Sequence, residues 1–108
     1  NAMNNLGAMY LDGTGVPKNP TEAIRWYTRA VHKGLATSAL NLGYIFQSGV
    51  NVPRDLISAY HWFLIGGALG DVTAREQAAA LERQLPPAAL AQGRKRAEQT
   101  VAELRKKA

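Results

Sequence analysis

An internal repeat constrains this chain of 108 residues more than any other feature. Residues 2–35 align without gaps to residues 38–71, an offset of 36 positions. The identical pairs are Asn5/Asn41, Leu6/Leu42, Gly7/Gly43, Gly13/Gly49, Val16/Val52, Pro17/Pro53, Ala23/Ala59, Trp26/Trp62 and Gly34/Gly70. Average composition would give about two identities over this length, so these nine indicate a duplicated structural unit.

Each unit has the apolar spacing of two helices separated by a turn. The stripe of the first unit consists of Ala2, Leu6 and Tyr10, followed by Ala23, Trp26, Tyr27, Ala30 and Val31. The second unit repeats it with Leu42 and Phe46, followed by Ala59, Trp62, Phe63 and Gly66. This i, i+3, i+4, i+7 spacing buries one face of a helix. We therefore expect the four aromatic residues of these stripes, Trp26, Tyr27, Trp62 and Phe63, to lie in the core.

Turn and cap residues agree with these boundaries. Gly13 can adopt positive φ and Pro17 cannot continue a helix, so a break is predicted between them. Asn19 and Asp55 are predicted N-caps, and Gly34 and Gly70 lie where C-terminal caps are expected. Where the first unit has Gly15 the second has Asn51, which also tolerates a left-handed conformation. The small Gly7 and Gly43 predict close helix contacts with aromatic side chains.

The last third of the chain lacks the repeat pattern but remains helical. One amphipathic stripe contains Ala74, Ala78, Leu81 and Leu85. Pro86-Pro87 interrupts it, and a second stripe contains Leu90, Ala97, Val101 and Leu104. An atypical terminal unit with a polar outer face is what closes a solenoid core. We therefore interpret residues 72–108 as a capping helix pair.

The two units resemble the Sel1-like repeat family. The motif Leu-Gly-x-x-Tyr-x-x-Gly-x-Gly-Val-Pro, then Ala-x-x-Trp-Tyr and Ala-x-x-x-Gly, is found from Leu6 to Gly34 and, with substitutions, from Leu42 to Gly70. The residues that carry the signature are Leu6, Gly7, Tyr10, Gly13, Gly15, Ala23, Trp26, Gly34, Leu42, Gly43, Phe46, Gly49, Ala59, Trp62 and Gly70. The resemblance implies an all-α, right-handed α-α superhelix related to tetratricopeptide repeats, with about three antiparallel helix pairs. It assigns residues 1–35 and 36–71 to two repeats.

The resemblance also implies a function. Such repeats act mainly as adaptors that hold other proteins, often in bacterial signalling, envelope or host-interaction settings. One disulfide-bonded, secreted branch of the family binds β-lactams. This chain has no cysteine, so it also lacks thiolate metal sites, a disulfide framework and a cysteine nucleophile.

Charge and hydropathy narrow the partner classes. Residues 94–108 contain six cations and two anions, whereas residues 1–93 carry a net charge of only +1. Cations in the last turn of a helix interact favourably with the negative end of its dipole. This explains Arg105, Lys106 and Lys107 without a nucleic-acid partner. No segment approaches the roughly 20 apolar residues of a membrane span, and no secretory signal pattern is present. We expect a soluble protein of the bacterial cytoplasm or periplasm.

The sequence offers no catalytic constellation. His32 and His61 occupy unmatched repeat positions and are interpreted as surface histidines. The segment Asp12-Gly13-Thr14-Gly15 lacks the ligand spacing of a calcium loop and the Lys of a phosphate loop, so it is interpreted as a turn. No catalytic residue, cofactor or metal is predicted.

A candidate partner-binding ridge follows from helix geometry. With Leu6 and Tyr10 taken as the buried centre of the first helix, steps of about 100° per residue place other positions on the opposite face. These positions and their equivalents in the second unit are Asn4, Ala8, Leu11, Leu40, Tyr44 and Gln47. Exposed aromatic residues are enriched in binding hot spots, which favours a peptide or protein groove here. Contact of Leu40 and Tyr44 with neighbouring turns is the alternative.

The sequence thus predicts a non-catalytic adaptor or scaffold that binds a protein or peptide. The chain opens inside a predicted helix, with Asn1-Ala2 ahead of Met3 as in a cleaved expression tag. Leu6, Met9 and Tyr10 then form an uncovered face, so end-to-end self-association within a longer repeat protein is a second hypothesis. A small-molecule binder or hydrolase of the β-lactam type is a third.

Overall fold

Six helices make up the fold of the protein in a computed structural model that describes residues 2–50 and 52–107. In chain order they are α1 (Ala2–Asp12), α2 (Pro20–His32), α3 (Ala36–Ser48), α4 (Leu56–Ala68), α5 (Val72–Glu82) and α6 (Pro87–Lys107). Helices α1 and α2 pack as one pair, and α3 and α4 pack as the next. The prediction of an all-α solenoid is confirmed; the expected left-handed residue at Asn51 lies outside the described residues.

A glycine and an aromatic ring bring the two helices of each repeat together at the equivalent place. A Cβ atom on Gly7 would lie 2.9 Å from the ring of Tyr27, and one on Gly43 would overlap the ring of Phe63. Both rings are buried. A side chain at either glycine would force the helices apart. The glycine of the duplicated Leu-Gly motif is therefore what allows the two helices to pack closely.

The N-termini of α2 and α4 are formed by the predicted caps. Asn19 Oδ1 accepts a hydrogen bond from Glu22 N at 3.2 Å, and Asp55 Oδ1 accepts one from Ser58 N at 3.0 Å. These acceptors satisfy backbone donors that the first helical turn leaves unpaired. Gly34 follows α2 with φ of 89°, which is why a glycine is placed there.

Helix α4 lies at the centre of the molecule, in contact with α3, α5 and α6. Its residues are apolar on nearly every side, and Ala59, Tyr60, Phe63 and Ile65 are inaccessible to solvent. A helix that is apolar all round belongs in a core rather than on a surface.

Helix α6 packs mainly on α4 rather than on α5. Gly93 permits this contact, because a Cβ atom there would lie 2.6 Å from the ring of Tyr60. Further along the helix, Ala97 is buried in the core, with Val101 and Leu104 packed against it. The predicted apolar stripe of α6 therefore faces α4.

None of the helices in residues 2–50 and 52–107 is both long and apolar enough to cross a membrane.

Candidate protein-binding surface

The structure disperses the six residues of the predicted ridge. Asn4 is half-buried between α1 and α3, where its Oδ1 atom accepts hydrogen bonds from Ser38 Oγ at 2.8 Å and Asn41 Nδ2 at 3.2 Å. Leu40 packs against the core around Ala59. These contacts hold the two repeats together and leave little of either side chain for a partner.

Leu11 and Tyr44 are brought together by the structure. They line one cavity of about 230 Å³ at the junction of α1, α2 and α3, together with Tyr27, Asn41, Ile45 and Ser48. Ala8 and Gln47 are half-buried and do not line it. We call this cavity and the ring of Tyr44 the Tyr44 surface.

Tyr44 is the most accessible aromatic residue of this surface. It is 38% exposed, and its ring meets the ring of Phe63 edge-on, with centroids 5.5 Å apart at 74°. This contact fixes the orientation of the ring, so little rotamer entropy is lost when a partner covers it. A rigid, exposed aromatic ring beside a cavity is typical of a binding hot spot.

Tyr27 forms the buried wall of the cavity. Burial raises the pKa of its phenol, and the negative charge of Asp12 raises it further. The hydroxyl therefore stays protonated at neutral pH and is available as a hydrogen-bond donor. Together with Asn41 and Ser48 it gives an otherwise apolar cavity a polar component.

The position of Gly7 explains why the predicted ridge is partly covered. Gly7 is the one fully buried residue described in α1, whereas Leu6 and Tyr10 are only half-buried. Asn4 and Leu11 lie three residues before and four residues after Gly7, on the same face of the helix. A glycine carries no hydropathy signal, so the apolar pattern alone placed the centre of the buried face one position away.

His61 is buried, which corrects the prediction of a surface histidine. It is only 5% exposed, and its Nε2 atom lies 2.9 Å from Thr100 Oγ1. Thr100 donates its own proton to the carbonyl oxygen of Arg96 at 3.1 Å, which assigns the imidazole proton to Nε2. Burial, with a smaller contribution from the positive charge of Arg96, lowers the pKa of His61 to about 4.

His61 is therefore held inside the core by its packing and by its hydrogen bond with Thr100. The apolar pattern all around α4 was the sequence signal that a residue at position 61 would be enclosed. His32 is half-buried, and within residues 2–50 and 52–107 no three His, Cys, Asp or Glu side chains are grouped as metal ligands.

The tryptophans are less enclosed than predicted. Tyr27 and Phe63 lie in the core as expected, but Trp26 and Trp62 are only half-buried. The guanidinium group of Arg29 lies 4.8 Å from the centre of the Trp26 ring, so a cation covers part of that ring.

Comparison with known proteins places this architecture in a family. The sequence model of the Sel1 repeat family matches residues 1–35 and 36–71. The solved structure of a protective antigen present in uropathogenic Escherichia coli strains, which displays an SLR fold, is similar with a TM-score of 0.84 and 29% identity. The match covers 94% of this chain and 22% of that one.

A Sel1 repeat protein from Oxalobacter formigenes is also similar, with a TM-score of 0.69 and 27% identity over 91% of this chain and 42% of that one. The chain thus spans less than half the length of either solved relative. No curated protein matches it. Two consecutive repeat matches over more than half of its residues show that the chain belongs to the Sel1 repeat family.

Proposed function

We propose that this chain is a non-catalytic interaction module that binds a protein or peptide partner at the Tyr44 surface. The observation that carries the proposal is the exposed ring of Tyr44, fixed by Phe63, beside the cavity shared with Leu11. Sel1 repeats commonly serve as protein-interaction modules, which supports the same assignment.

The chemistry of the surface favours a peptide with mixed character. The cavity offers apolar contact from Leu11 and Ile45, an acceptor from Asn41 Oδ1 and the hydroxyl of Tyr27, whereas Asn41 Nδ2 is already bonded to Asn4. An apolar or aromatic side chain of the partner fits such a cavity, with its backbone within reach of the amide and hydroxyl groups.

Helices α5 and α6 are assigned a structural part in this module. They cover α4, whose apolar surface would otherwise face water. We propose that residues 72–108 act as the capping unit and that the binding surface belongs to the two repeats.

Self-association is a second candidate because Leu6 and Met9 of α1 remain half-exposed. Light scattering over a range of protein concentrations distinguishes the two hypotheses. A Leu6→Ser, Met9→Ser variant that converts an oligomer to a monomer supports self-association, and a wild-type chain that stays monomeric contradicts it.

The test of the main proposal is Tyr44→Ala, with Val72→Ala as the matched control. Val72 is an exposed apolar residue at the start of α5, away from the Tyr44 surface. A partner is first captured from lysate of the source organism, then purified, and its affinity for each variant is measured by titration calorimetry.

We expect Tyr44→Ala to weaken binding by about tenfold or more, as loss of a hot-spot aromatic does, and Val72→Ala to leave it unchanged. Circular dichroism melting curves must show that both variants remain folded. Equal affinity of Tyr44→Ala and wild type would reject the Tyr44 surface as the binding site.

A further inference from the structure

A second surface lies where α6 crosses α4 and approaches the end of α2. Two cavities open there, of about 410 Å³ and 450 Å³, and both are lined by Val101 and Arg105. The first extends to Leu64 and Arg94, and the second extends to Lys33. We call the two adjoining cavities the α6 trough.

The floor of the trough is apolar. Leu64, Leu69, Val101 and Leu104 line it, and each is only half-buried although it packs against the core. Ala68, at the end of α4, is exposed. Apolar side chains that are left partly wet in a concave surface gain free energy when another apolar group covers them.

The rim of the trough is positively charged. Lys33 and Arg105 are exposed at the second cavity, which no carboxylate of residues 2–50 and 52–107 lines. Neither cation forms an ion pair with another described residue. The first cavity adds Arg94, already joined to Glu82, and one acid, Glu98.

Two helix ends partly offset this charge. Helices α2 and α4 end at the second cavity, and each C-terminus carries about half a negative charge. At the second cavity the two full charges of Lys33 and Arg105 exceed these partial charges, so that end of the trough is cationic, whereas Glu98 offsets the positive charge of the first cavity.

The shape of the trough suits a helix. The lining residues Arg94, Ala97, Val101 and Arg105 are spaced three or four apart, so a single face of α6 forms one wall. That wall is about 16 Å long at 1.5 Å per residue, or three turns of a helix. A partner helix laid beside it places apolar residues at i, i+4 and i+7 on the floor.

We propose that the α6 trough docks an acidic amphipathic helix of a partner protein. Leucine-type side chains of that helix cover the floor, and its flanking carboxylates face Lys33 and Arg105. The proposal rests on the proposed interaction function but concerns a site separate from the Tyr44 surface. The apolar floor distinguishes this partner from a nucleic acid, which would need cations and stacking groups instead.

The test uses a fluorescein-labelled 18-residue peptide with leucines at i, i+4 and i+7 and glutamates beside them. Two further peptides serve as controls: one with lysine in place of every glutamate, and one with the original residues in scrambled order. Fluorescence anisotropy with the intact chain measures each affinity. We expect the acidic amphipathic peptide to bind at least about tenfold more tightly than either control.

Charge-reversal variants locate the site. Lys33→Glu and Arg105→Glu should each weaken binding of the acidic peptide by about fivefold or more. Val101→Ser should also weaken binding, because it places a polar group in the apolar floor of the trough. Lys95→Glu is the matched control, because Lys95 is an exposed cation of α6 that lines neither cavity. It should change the affinity by less than about twofold.

Several outcomes would overturn the proposal. These are equal binding of the three peptides, an equal effect of Lys95→Glu and Arg105→Glu, or tighter binding of a single-stranded oligonucleotide that Val101→Ser does not weaken. Tyr44→Ala separates the two surfaces, since it should leave peptide binding unchanged. If the acidic peptide does not bind while the Tyr44 surface still binds its partner, the proposal for the trough is rejected and the proposed function is not.

Discussion

Tyr60 and Glu82 connect α4 to α5 through one hydrogen bond, in which the phenol of the fully buried tyrosine donates to Glu82 Oε2 at 2.7 Å. Arg94 of α6 donates from Nε to the same hydroxyl oxygen at 3.1 Å. Burial, reinforced by the bond to Glu82, raises the pKa of Tyr60, so the donor proton is retained. One hydroxyl thus joins three helices.

We expect Tyr60→Phe to lower the free energy of unfolding by about 1.5 to 3 kcal/mol, the usual range for a hydrogen bond to a charged group. Urea denaturation followed by circular dichroism measures the change. Tyr44→Phe is the control, because no hydrogen bond of the Tyr44 hydroxyl is formed with the described residues. Equal stability of the two variants would contradict a role for the hydroxyl.

Alanine at Gly43 should destabilise the protein more than alanine at Gly7. The new methyl group would overlap the ring of Phe63, whereas at Gly7 it would meet the ring of Tyr27 at 2.9 Å. Overpacking of this kind costs about 1 to 3 kcal/mol. Thermal unfolding ranks the variants, and a Gly43→Ala, Phe63→Leu double variant should lose less stability than the sum of its parts. Additive losses would contradict direct contact.

His61 should make the protein less stable in mild acid. Its pKa is lowered to about 4 in the folded chain, whereas an exposed histidine titrates near 6.5, so the unfolded state binds the proton first. Stability is therefore retained above pH 6.5 and lost as the pH falls toward 4. The loss should reach about 1 to 3 kcal/mol.

The measurement is urea denaturation at pH 7 and at pH 5 for wild type and His61→Gln. Glutamine does not titrate and keeps a donor directed at Thr100. The difference between the two proteins cancels the contribution of the carboxylates. An identical pH dependence in both would show that His61 is not the responsible group.

Loss of the Asp55 cap should cost more than loss of the Asn19 cap. Asp55 accepts from both the backbone and the hydroxyl of Ser58, whereas Asn19 accepts from one backbone group of Glu22. Burial would raise the pKa of Asp55, but these hydrogen bonds from Ser58 hold it below its usual value. Alanine at Asp55 should lower the free energy of unfolding by about 1 to 2 kcal/mol. A smaller loss than for Asn19→Ala, measured in urea, would contradict this ranking.

The duplicated part of the fold was predictable from sequence because each repeat residue has a local reason. The caps at Asn19 and Asp55 and the glycine at position 34 act within one turn of their own helix. The contact between Gly43 and the ring of Phe63 in the second unit has its equivalent in Gly7 and the ring of Tyr27 in the first. Comparison of two copies reveals such local and paired requirements.

The features that could not be predicted from sequence depend on how the helices pack against one another. Helical periodicity gives the faces of α1, but only its packing on α3 shows that Asn4 is engaged by Ser38. The contact of α6 with α4 has no counterpart in the repeats, so nothing indicated that Thr100 would meet His61. The α6 trough, which depends on that contact, was equally hidden.

The attachment of α6 mainly to α4 also determines how the molecule opens. Because α6 meets α5 through the ion pair between Arg94 and Glu82 and through the shared hydroxyl of Tyr60, it can separate from α4 while the helix pairs of both repeats keep their own contacts. Such a partial opening requires less free energy than global unfolding. Amide protons of α6 should therefore exchange with solvent deuterium together and earlier than those of α3 and α4.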